Sequence, residues 1–285
     1  MTITGTSTWN DANTKSCPYT KCGPENIHGR PSIEITGSGV TLENMTVVGA
    51  NPWTGHTYRP GLAAGAGIAL SGSLDTTLIN DHVHNTFGDC LSIGPNHFPQ
   101  PGWTTTRNLT VTGFHGYDCG LQGISPVAVN VAHFTDITLG ATSQATWDFE
   151  DDSLGEAAKN VTVDSCSTRG GVNIASTSEE GPITFTDCTM GHNVALGVHS
   201  ANNSPIGPIT FEHDQLSCGN EAYLACVNVR DGVVNLIDTT IATGGKHEKL
   251  YTAIDGSSLE FGGVTVTGPH AAGTHDPSSA VTGAT

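Results

Sequence analysis

A short strand-like pattern returns about every 22 to 32 residues along most of this chain, from about residue 31 to residue 268. Each recurrence is an alternating segment, such as 67–70, 90–93 or 122–125, and it is followed by a second short apolar segment such as 109–111. Segments this short cannot bury an apolar face alone, so each must stack on its sequence neighbours. The period therefore predicts a coil of stacked strands.

Composition favours an all-β chain with many tight turns. Of its 285 residues, 36 are Gly and only 13% are charged, and Thr, Asn, Ser and Asp fill the intervals between apolar segments. These residues are typical of turns between short strands. We predict an irregular, disulfide-tied lead-in over residues 1–30, a solenoid of about 8–10 coils over 31–268, and a flexible tail over 269–285.

The charge balance excludes several classes of partner. The chain has 27 acidic and 10 basic residues and a net charge of −17. Nucleic acids and anionic membranes need clustered Lys and Arg, which this sequence lacks. No apolar run approaches the length of a membrane span. We therefore expect neither a nucleic-acid nor a membrane partner, and the oligomeric state stays open.

Eight cysteines suggest an oxidising compartment. Cys166 and Cys188 each follow an apolar residue by three positions, which places them side by side on successive coils, about 4.8 Å apart. We predict disulfides Cys166–Cys188 and Cys17–Cys22, with Cys90/Cys119 and Cys218/Cys226 as further neighbours. Four pairs without a Cys-x-x-Cys metal motif favour a secreted protein. Because no signal-peptide pattern follows Met1, we expect either a mature form or a truncated one.

Four segments carry a resemblance to a known family: residues 42–51, 88–93, 122–125 and 147–152. With their coils, they resemble the right-handed parallel β-helix of the pectate-lyase-like superfamily, especially secreted bacterial and actinobacterial right-handed β-helix region proteins. The resemblance implies an all-β, right-handed parallel β-helix. The wider fold hosts lyases, glycoside hydrolases, epimerases, esterases and phage spikes. The polygalacturonase motif set and the pectate lyase Ca²⁺ cluster are not assembled here.

The outer face offers one pair of carboxylates. Alternation predicts one inward-facing row of apolar residues on successive coils: Ile68, Ile93, Ile124, Phe149, Ile174, Val198, Val229 and Ile254. Asp148 and Glu150 then project outward from one strand, about 6.5–7 Å apart at Cα. The predicted row of Glu150 also contains Ser125, Ala175, His199 and Arg230. We expect a trough floored by Gly123, Ser125 and Ala175. Carboxylates so placed are typical of glycosidic cleavage, and crowding raises the pKa of one of them. The neighbouring predicted substrate-binding residues are Asp152, Asn173, His199, Arg230 and Gln122.

Two loops interrupt the period and are rich in aromatic residues and Pro, at 48–64 and 94–107. Loops on a rigid coil are frequent binding sites. Aromatic rings there would suit sugar-ring stacking, although they could equally cap the coil edge. The loop residues predicted to bind substrate are Trp53, Tyr58, Arg59, His97 and Trp103.

Other chemistries stay open. The acidic cluster could instead bind Ca²⁺ or be merely solvated, and a second cluster of Asp81, His82, His84 and Asp89 has the residue types of a transition-metal site. The sequence thus predicts a secreted carbohydrate-active enzyme that cleaves a polysaccharide or oligosaccharide, foremost a glycoside hydrolase with Asp148 and Glu150 as catalytic residues. The alternatives are a polysaccharide lyase, with or without Ca²⁺, and a non-enzymatic glycan-binding surface protein.

Overall fold

The protein is a parallel β-solenoid. The computed structural model describes residues 2–4, 31–51, 58–96, 103–150, 156–176, 180–191, 196–200, 206–218, 225–245 and 249–283. The helical element among them is a single 3-10 turn at Pro60–Leu62. This confirms the all-β prediction and agrees with the short, Gly-punctuated apolar segments of the sequence.

The described strands, in chain order, are β1 (Thr2–Thr4), β2 (Ile33–Ile35), β3 (Thr41–Glu43), β4 (Thr46–Val48), β5 (Ile68–Ser71), β6 (Leu74–Ile79), β7 (His82–Thr86), β8 (Leu91–Gly94), β9 (Thr106–Thr112), β10 (His115–Cys119), β11 (Ile124–Pro126), β12 (Val129–Leu139), β13 (Trp147–Glu150), β14 (Ala158–Thr168), β15 (Val172–Ser176), β16 (Ile183–Thr186), β17 (Thr189–Met190), β18 (Leu196–Ser200), β19 (Ile206–Glu212), β20 (Gln215–Ser217), β21 (Val227–Arg230), β22 (Gly232–Ile237), β23 (Thr240–Ala242), β24 (Tyr251–Ile254), β25 (Ser258–Gly262), β26 (Thr265–Thr267), β27 (Thr274–His275) and β28 (Ala280–Thr282).

These strands stack into two parallel sheets. Sheet B has ten described strands in the order β2-β5-β8-β11-β13-β15-β18-β21-β24-β27, so each coil contributes one strand. Sheet A has 18 described strands in two ladders, which are joined where the long strands β12 and β14 run through both. The core lies between the sheets and contains a cluster of aromatic rings: Phe134, Trp147, Phe149, Phe185 and Phe211.

A corner with positive φ separates the two ladders of sheet A. At each of nine successive coils the residue after the first ladder has a φ between 47° and 68°. Asn and Asp tolerate this left-handed region because their short side chains bond locally, and Gly adopts it without steric cost. The corner thus bends the chain at the same point in every coil: Asn44, Asn80, Gly113, Asp136, Ser165, Asp187, His213, Asp238 and Gly263.

The strand register of sheet B differs in part from the prediction. Ile124 pairs with Leu91 and Trp147, rather than with Ile93 and Phe149. As a result Ser125 shares the outward row of Ser92 and Asp148 instead of that of Glu150. The prediction failed because a slip of two residues keeps every side chain on its own face, so alternation alone cannot detect it.

Two further positions are corrected. Gly123 is buried, and a Cβ there would lie 2.5 Å from the Thr146 carbonyl oxygen and 3.1 Å from the Leu139 side chain, so Gly123 faces the interior rather than the floor of a trough. In β24 the buried position belongs to Ala253, while Ile254 is half-buried, which reverses the predicted inward stacking of Ile254. Register with β21 sets this orientation, because Ala253 pairs with the buried Val229.

Strand pairing continues beyond residue 268, where the sequence predicted a flexible tail. β27 pairs with β24, and β28 pairs with β25. Asp276 accepts the backbone N–H of Asp255 at 2.8 Å, which ties this segment to the preceding coil. Edge strands need few apolar residues, because only one side of the segment packs on the solenoid. Residues 269–285 contain few large apolar residues, so their composition gave no sign of this pairing.

Three disulfides cross-link the described coils: Cys90–Cys119, Cys166–Cys188 and Cys218–Cys226. The predicted Cys166–Cys188 pair joins register neighbours of β14 and the following coil, with Cα atoms 4.4 Å apart. Cys17 and Cys22 lie outside the described residues. Disulfides persist in oxidising compartments, so the three bridges indicate an extracellular or otherwise oxidising setting. Within the described ranges, no helix is both long and apolar enough to span a bilayer.

A buried carboxyl before β20 makes stability dependent on pH. Asp214 is 1% exposed; its Oδ1 accepts the Cys188 N–H at 2.7 Å, and its Oδ2 has no partner among the described residues. Burial raises the pKa of Asp214 to about 7. Because the folded-state pKa exceeds the unfolded value of about 3.9, this group's stabilising contribution is complete below about pH 4 and is lost as the pH rises through 7.

We therefore expect Asp214→Asn to reduce the loss of stability between pH 4 and pH 8. The amide keeps the acceptor for Cys188 and never ionises, so the variant should gain stability relative to the wild type at the alkaline end, by an amount on the order of 4 kcal/mol at most. Denaturant unfolding at both pH values measures this. An equal pH dependence in both proteins would contradict the assignment.

Candidate active site

Two aromatic residues of β13, Trp147 and Phe149, alternate with its two carboxyl residues, Asp148 and Glu150, and set their orientation. Trp147 and Phe149 are fully buried and point into the core. Alternation along the strand then places Asp148 and Glu150 on the outer face of sheet B, as predicted. Asp148 is only 3% exposed, whereas Glu150 is exposed. One strand thus presents a sequestered carboxyl and a solvated one, two residues apart.

Two amides hold the Asp148 carboxyl. Asn173 of the next coil donates from Nδ2 to Oδ1 at 2.6 Å, and Gln122 of the preceding coil donates from Nε2 to Oδ2 at 2.9 Å. Gln122 also bonds Gln144 Oε1 at 3.3 Å, and its backbone N–H donates to Asp89 Oδ1 at 3.1 Å. Asp148 is therefore clamped from both neighbouring coils, and its side chain is fixed in orientation.

Burial raises the pKa of Asp148 to about 7, against the opposing effect of the Asn173 hydrogen bond. The negative charge of Glu150 and a hydrogen bond with its carboxyl raise the pKa further, while the Gln122 hydrogen bond lowers it. Two carboxyls in hydrogen-bonding contact must share a proton. Near neutral pH the pair can therefore both release and accept a proton.

A cavity of about 480 Å³ opens beside this pair. Its size falls in the range of small-molecule and oligosaccharide sites. Tyr58, Ala63 and Ala64 from the first predicted loop contribute to its wall, while β8 and β11 contribute Ser92 and Ser125. The complete lining among the described residues is Tyr58, Ala63, Ala64, Asp89, Ser92, Leu121, Gln122, Ser125, Val127, Gln144, Asp148 and Glu150.

The other predicted site residues differ in how the structure places them. Asn173 contacts Asp148 directly. Ala175, His199 and Arg230 follow Glu150 in one row of register partners, as predicted. Arg230, however, donates to Asp255 at 2.6 Å and does not line the cavity, and neither do Arg59 and Trp103. The remaining predicted residues lie outside the described part of the chain: Trp53, His97, Asp152 and the side chain of His199.

The second predicted cluster is divided between the two sheets. Asp81 is buried at a corner of sheet A, where it accepts the Met45 N–H at 2.8 Å. His82 stacks on His115 at 4.6 Å between ring centroids, whereas Asp89 lines the sheet B cavity. No group of three or more His, Cys, Asp or Glu among the described residues could hold a metal ion.

Sequence reasoning did not assign Asp89, Ser92 and Gln144 to this site. Asp89 and Gln122 each stand two residues before the paired strand residues Leu91 and Ile124, so they occupy the same position on adjacent coils. If the pairing of Leu91 with Ile124 had been recognised in the sequence, it would have predicted that Asp89 lies next to Gln122. Asp89 was instead grouped with the nearby histidines because they are close in sequence.

Comparison of the chain with protein-family models, with curated proteins and with solved structures found no match. The proposed function below is therefore based on the fold and on the geometry of the site.

Proposed function

We propose that this protein is a secreted carbohydrate-active enzyme that hydrolyses a glycosidic bond, with Asp148 and Glu150 as its catalytic residues. One observation carries the proposal: a buried carboxyl with a raised pKa and an exposed carboxyl two residues along the same strand line one open cavity. Glycosidic cleavage by two carboxyls requires one that is protonated and one that is ionised at the working pH.

The environments of the two carboxyls suit different roles. Asp148 retains its proton up to about pH 7, so it can protonate the leaving glycosidic oxygen. Glu150 is exposed and solvated, so it can serve as the carboxylate that attacks the anomeric carbon or activates water. Asn173 and Gln122 then stabilise the Asp148 carboxylate that remains after the proton has left.

Substrate entry requires the carboxyls to separate. When the two carboxyls share a hydrogen bond, they lie closer than the roughly 5–5.5 Å of retaining enzymes or the roughly 6.5–9.5 Å of inverting ones. The amides clamp Asp148, whereas Glu150 has a longer side chain and is exposed. A rotamer change of Glu150 would open the space for the sugar and leave the Asp148 proton facing it. Both stereochemical outcomes are compatible with this movement.

Hydrolysis fits this cavity better than lyase chemistry. A lyase must neutralise the carboxylate of a uronate, and no Lys or Arg is among the described residues that line the cavity. Arg230, one of the predicted substrate-binding residues, is paired with Asp255. The three disulfides are consistent with action outside the cytoplasm.

The test is product analysis on a panel of uncharged, cationic and anionic polysaccharides. We expect new reducing ends with at least one of them and no ultraviolet absorbance from unsaturated products. Unsaturated products would replace the hydrolase by a lyase. Saturable binding without any cleavage across the panel would favour the non-enzymatic glycan-binding alternative.

Asn173→Ala should shift the pH–rate profile. The Asn173 N–H lowers the pKa of Asp148, so its removal should raise that pKa and keep the acid protonated to higher pH. We expect the alkaline limb of kcat/KM to move upward by about one pH unit, since a hydrogen bond to a charged group contributes roughly 1.5–3 kcal/mol.

The matched control is Asn228→Ala, two coils along the same row of register partners. It removes the same side chain without touching Asp148, so its profile should coincide with that of the wild type. A profile of Asn173→Ala that falls uniformly, without a shift of the alkaline limb, would contradict a role of Asp148 as the acid.

A further inference from the structure

Two stacks of side-chain rings stand on the outer face of sheet A. His82 stacks on His115 and His84 stacks on Tyr117, with ring centroids 4.6 and 4.7 Å apart and ring planes within 4° and 9° of parallel. The paired residues are register partners on β7 and β10. Because the centroid separations match the roughly 4.8 Å between neighbouring strands, the rings stack along the solenoid axis, one ring per coil.

The second stack stops at a glycine on the next coil. The Gly140 N–H donates to the Gly116 carbonyl oxygen at 2.7 Å, which places Gly140 beside Tyr117 in the outward row. A Cβ at Gly140 would lie 2.8 Å from the Tyr117 Cβ, closer than packed carbon atoms approach. A side chain there would therefore displace Tyr117. Without one, the ring face turned away from His84 has no neighbour in its row, and Tyr117 is 41% exposed.

An arginine stands on the far side of this gap. The Arg169 N–H donates to the Leu139 carbonyl oxygen at 3.0 Å, which continues the outward row one coil beyond Gly140. Arg169 is exposed, and in the part of the chain that the structure describes no carboxylate lies within ion-pair distance of its guanidinium. Tyr117 and Arg169 thus form the two walls of a slot with Gly140 between them, the Tyr117–Arg169 slot.

The slot has the width of one planar ring. Its walls are separated by two strand spacings, about 9.6 Å. A ring at the level of Gly140 would lie about 4.8 Å from each wall, within the roughly 4.5–7 Å of stacked aromatic pairs. The planar guanidinium of an arginine also stacks on an aromatic face, where the ring quadrupole attracts its charge. An aromatic ring can therefore use both walls, whereas a saturated ring gains only the contact with Tyr117.

The tyrosine wall is held in place before any ligand binds. His84 covers one face of the Tyr117 ring, and the His84 ring is itself fixed by a hydrogen bond from its Nδ1 to Asn85 Oδ1. A side chain that is already ordered loses little rotamer freedom on binding, which lowers the free-energy cost of association. The surface is thus preorganised to receive a ring.

The charge of the slot selects among aromatic ligands. Arg169 attracts an anion and repels a cation, and its guanidinium matches the geometry of a carboxylate. The net charge of −17 acts against a polyanion such as a nucleic acid. At physiological salt that repulsion is screened beyond about 8 Å, so a small ligand with a single carboxylate responds mainly to the nearby Arg169.

We propose that the Tyr117–Arg169 slot binds a small aromatic acid, such as a phenolic acid, with its ring stacked on Tyr117 and in contact with Arg169. The slot lies on sheet A and the carboxyl pair lies on sheet B, so this is a second binding site. The proposal does not depend on the hydrolase proposal.

The experiment is a titration of the intact protein at neutral pH, followed by nuclear magnetic resonance of its backbone amides. The probes are para-hydroxycinnamate, cyclohexylpropionate, tyramine and a glucose tetrasaccharide. We expect para-hydroxycinnamate alone to cause a saturable shift of the Gly140 amide, because an aromatic ring stacked above it alters the local magnetic field. Cyclohexylpropionate lacks the aromatic electrons, tyramine carries the opposite charge, and the neutral sugar has neither feature.

Variants locate the ligand. Tyr117→Leu removes the stacking wall and should weaken binding of para-hydroxycinnamate about three- to ten-fold. Arg169→Gln removes the cationic wall and should weaken it about two- to five-fold. The matched controls are Arg107→Gln at an exposed arginine on β9 of sheet A, and Tyr58→Leu at an exposed tyrosine beside the sheet B cavity. Both controls should bind para-hydroxycinnamate as the wild type does, and thermal melting checks that all four variants are folded.

Several results would overturn the proposal. No saturable shift with para-hydroxycinnamate, or an equal shift with cyclohexylpropionate, would rule out ring stacking at Gly140. Equal binding of tyramine would remove the role of Arg169. Unchanged affinity in Tyr117→Leu, or lost affinity in Tyr58→Leu, would place the ligand outside the slot. Stronger binding of the tetrasaccharide at Gly140 would make this face a glycan-binding surface instead. None of these results affects the hydrolase proposal, because its product analysis uses no aromatic ligand.

Discussion

Asp148→Asn should lower kcat by about 10²–10⁴-fold, because the amide cannot donate a proton to the leaving oxygen. The change preserves shape, and the Asn173 N–H can still be accepted at Oδ1. A half-turn of the Gln122 amide would present its Oε1 to the new N–H group. Glu150→Gln should cause a loss of similar size, because the partner carboxylate is removed while its volume is kept. Steady-state kinetics on the substrate found by product analysis measures both.

Stability separates this effect from damage to the fold. The pKa of Asp148 is raised to about 7, so its ionised form is disfavoured in the folded state, and the stabilising contribution of the group is lost as the pH rises from about 4 through 7. Asp148→Asn should therefore melt no lower than the wild type at pH 8. Asp164→Asn on β14 is the matched control, because Asp164 is exposed on sheet A. Wild-type turnover in both Asp148→Asn and Glu150→Gln would end the hydrolase proposal.

The orientation of the carboxyl pair was predictable from alternation alone. Trp147 and Phe149 are large and apolar, so they had to point inward, and this sent Asp148 and Glu150 to the opposite face. The Cys166–Cys188 bridge followed from equal spacing after an inward apolar residue. The first inference uses positions within one strand, and the second uses equivalent positions on two neighbouring coils. Neither depends on counting residues across an irregular loop, so a register error in such a loop does not affect them.

The rest of the site depends on register between coils of unequal length. Ile93 and Ile124 are 31 residues apart and seemed equivalent, yet Ile124 pairs with Leu91. This slip hid Asp89 and placed Ser125 in the wrong row. A better guide was the corner of sheet A, since an Asn, Asp or Gly with positive φ recurs there at Asn80, Gly113 and Asp136. The paired residues Leu91, Ile124 and Trp147 each stand the same number of residues after these three corners, so alignment on the corner would have given the register of these three coils.

The depth of Asp148 could not be read from the sequence. An outward-facing Asp on a solenoid is ordinarily solvated, but this one is 3% exposed. It lies between Gln122 and Asn173 of the neighbouring coils, beside a cavity whose wall includes Tyr58, Ala63 and Ala64 of the first loop. Burial is the largest cause of its raised pKa. The chemistry of the site thus depends on where an irregular loop packs, and such packing has no periodic signature.

Trp147→Ala should lower the free energy of unfolding by about 3–5 kcal/mol, the usual cost of truncating a buried aromatic residue. Trp147 is fully buried and lies against Phe134, Phe149 and Phe185, with ring centroids 5.2, 6.1 and 5.7 Å away. Removal of its ring would leave a cavity that the neighbouring coils cannot fill, because their strands are held in register by backbone hydrogen bonds. Denaturant unfolding measures the loss.

The control is Trp147→Phe, which keeps an aromatic ring and removes an indole N–H that has no partner among the described residues. Its cost in unfolding free energy should be clearly smaller, since the lost volume is offset in part by the removal of an unsatisfied donor.

Trp147 also affects the candidate active site, because its buried ring fixes the strand so that Asp148 points outward between Asn173 and Gln122. At a temperature where Trp147→Ala is still folded, its kcat should therefore fall, while that of Trp147→Phe should stay near the wild type. Equal unfolding free energies for the two variants would contradict the packing argument, and an unchanged kcat in folded Trp147→Ala would show that the amide clamp orients Asp148 without it.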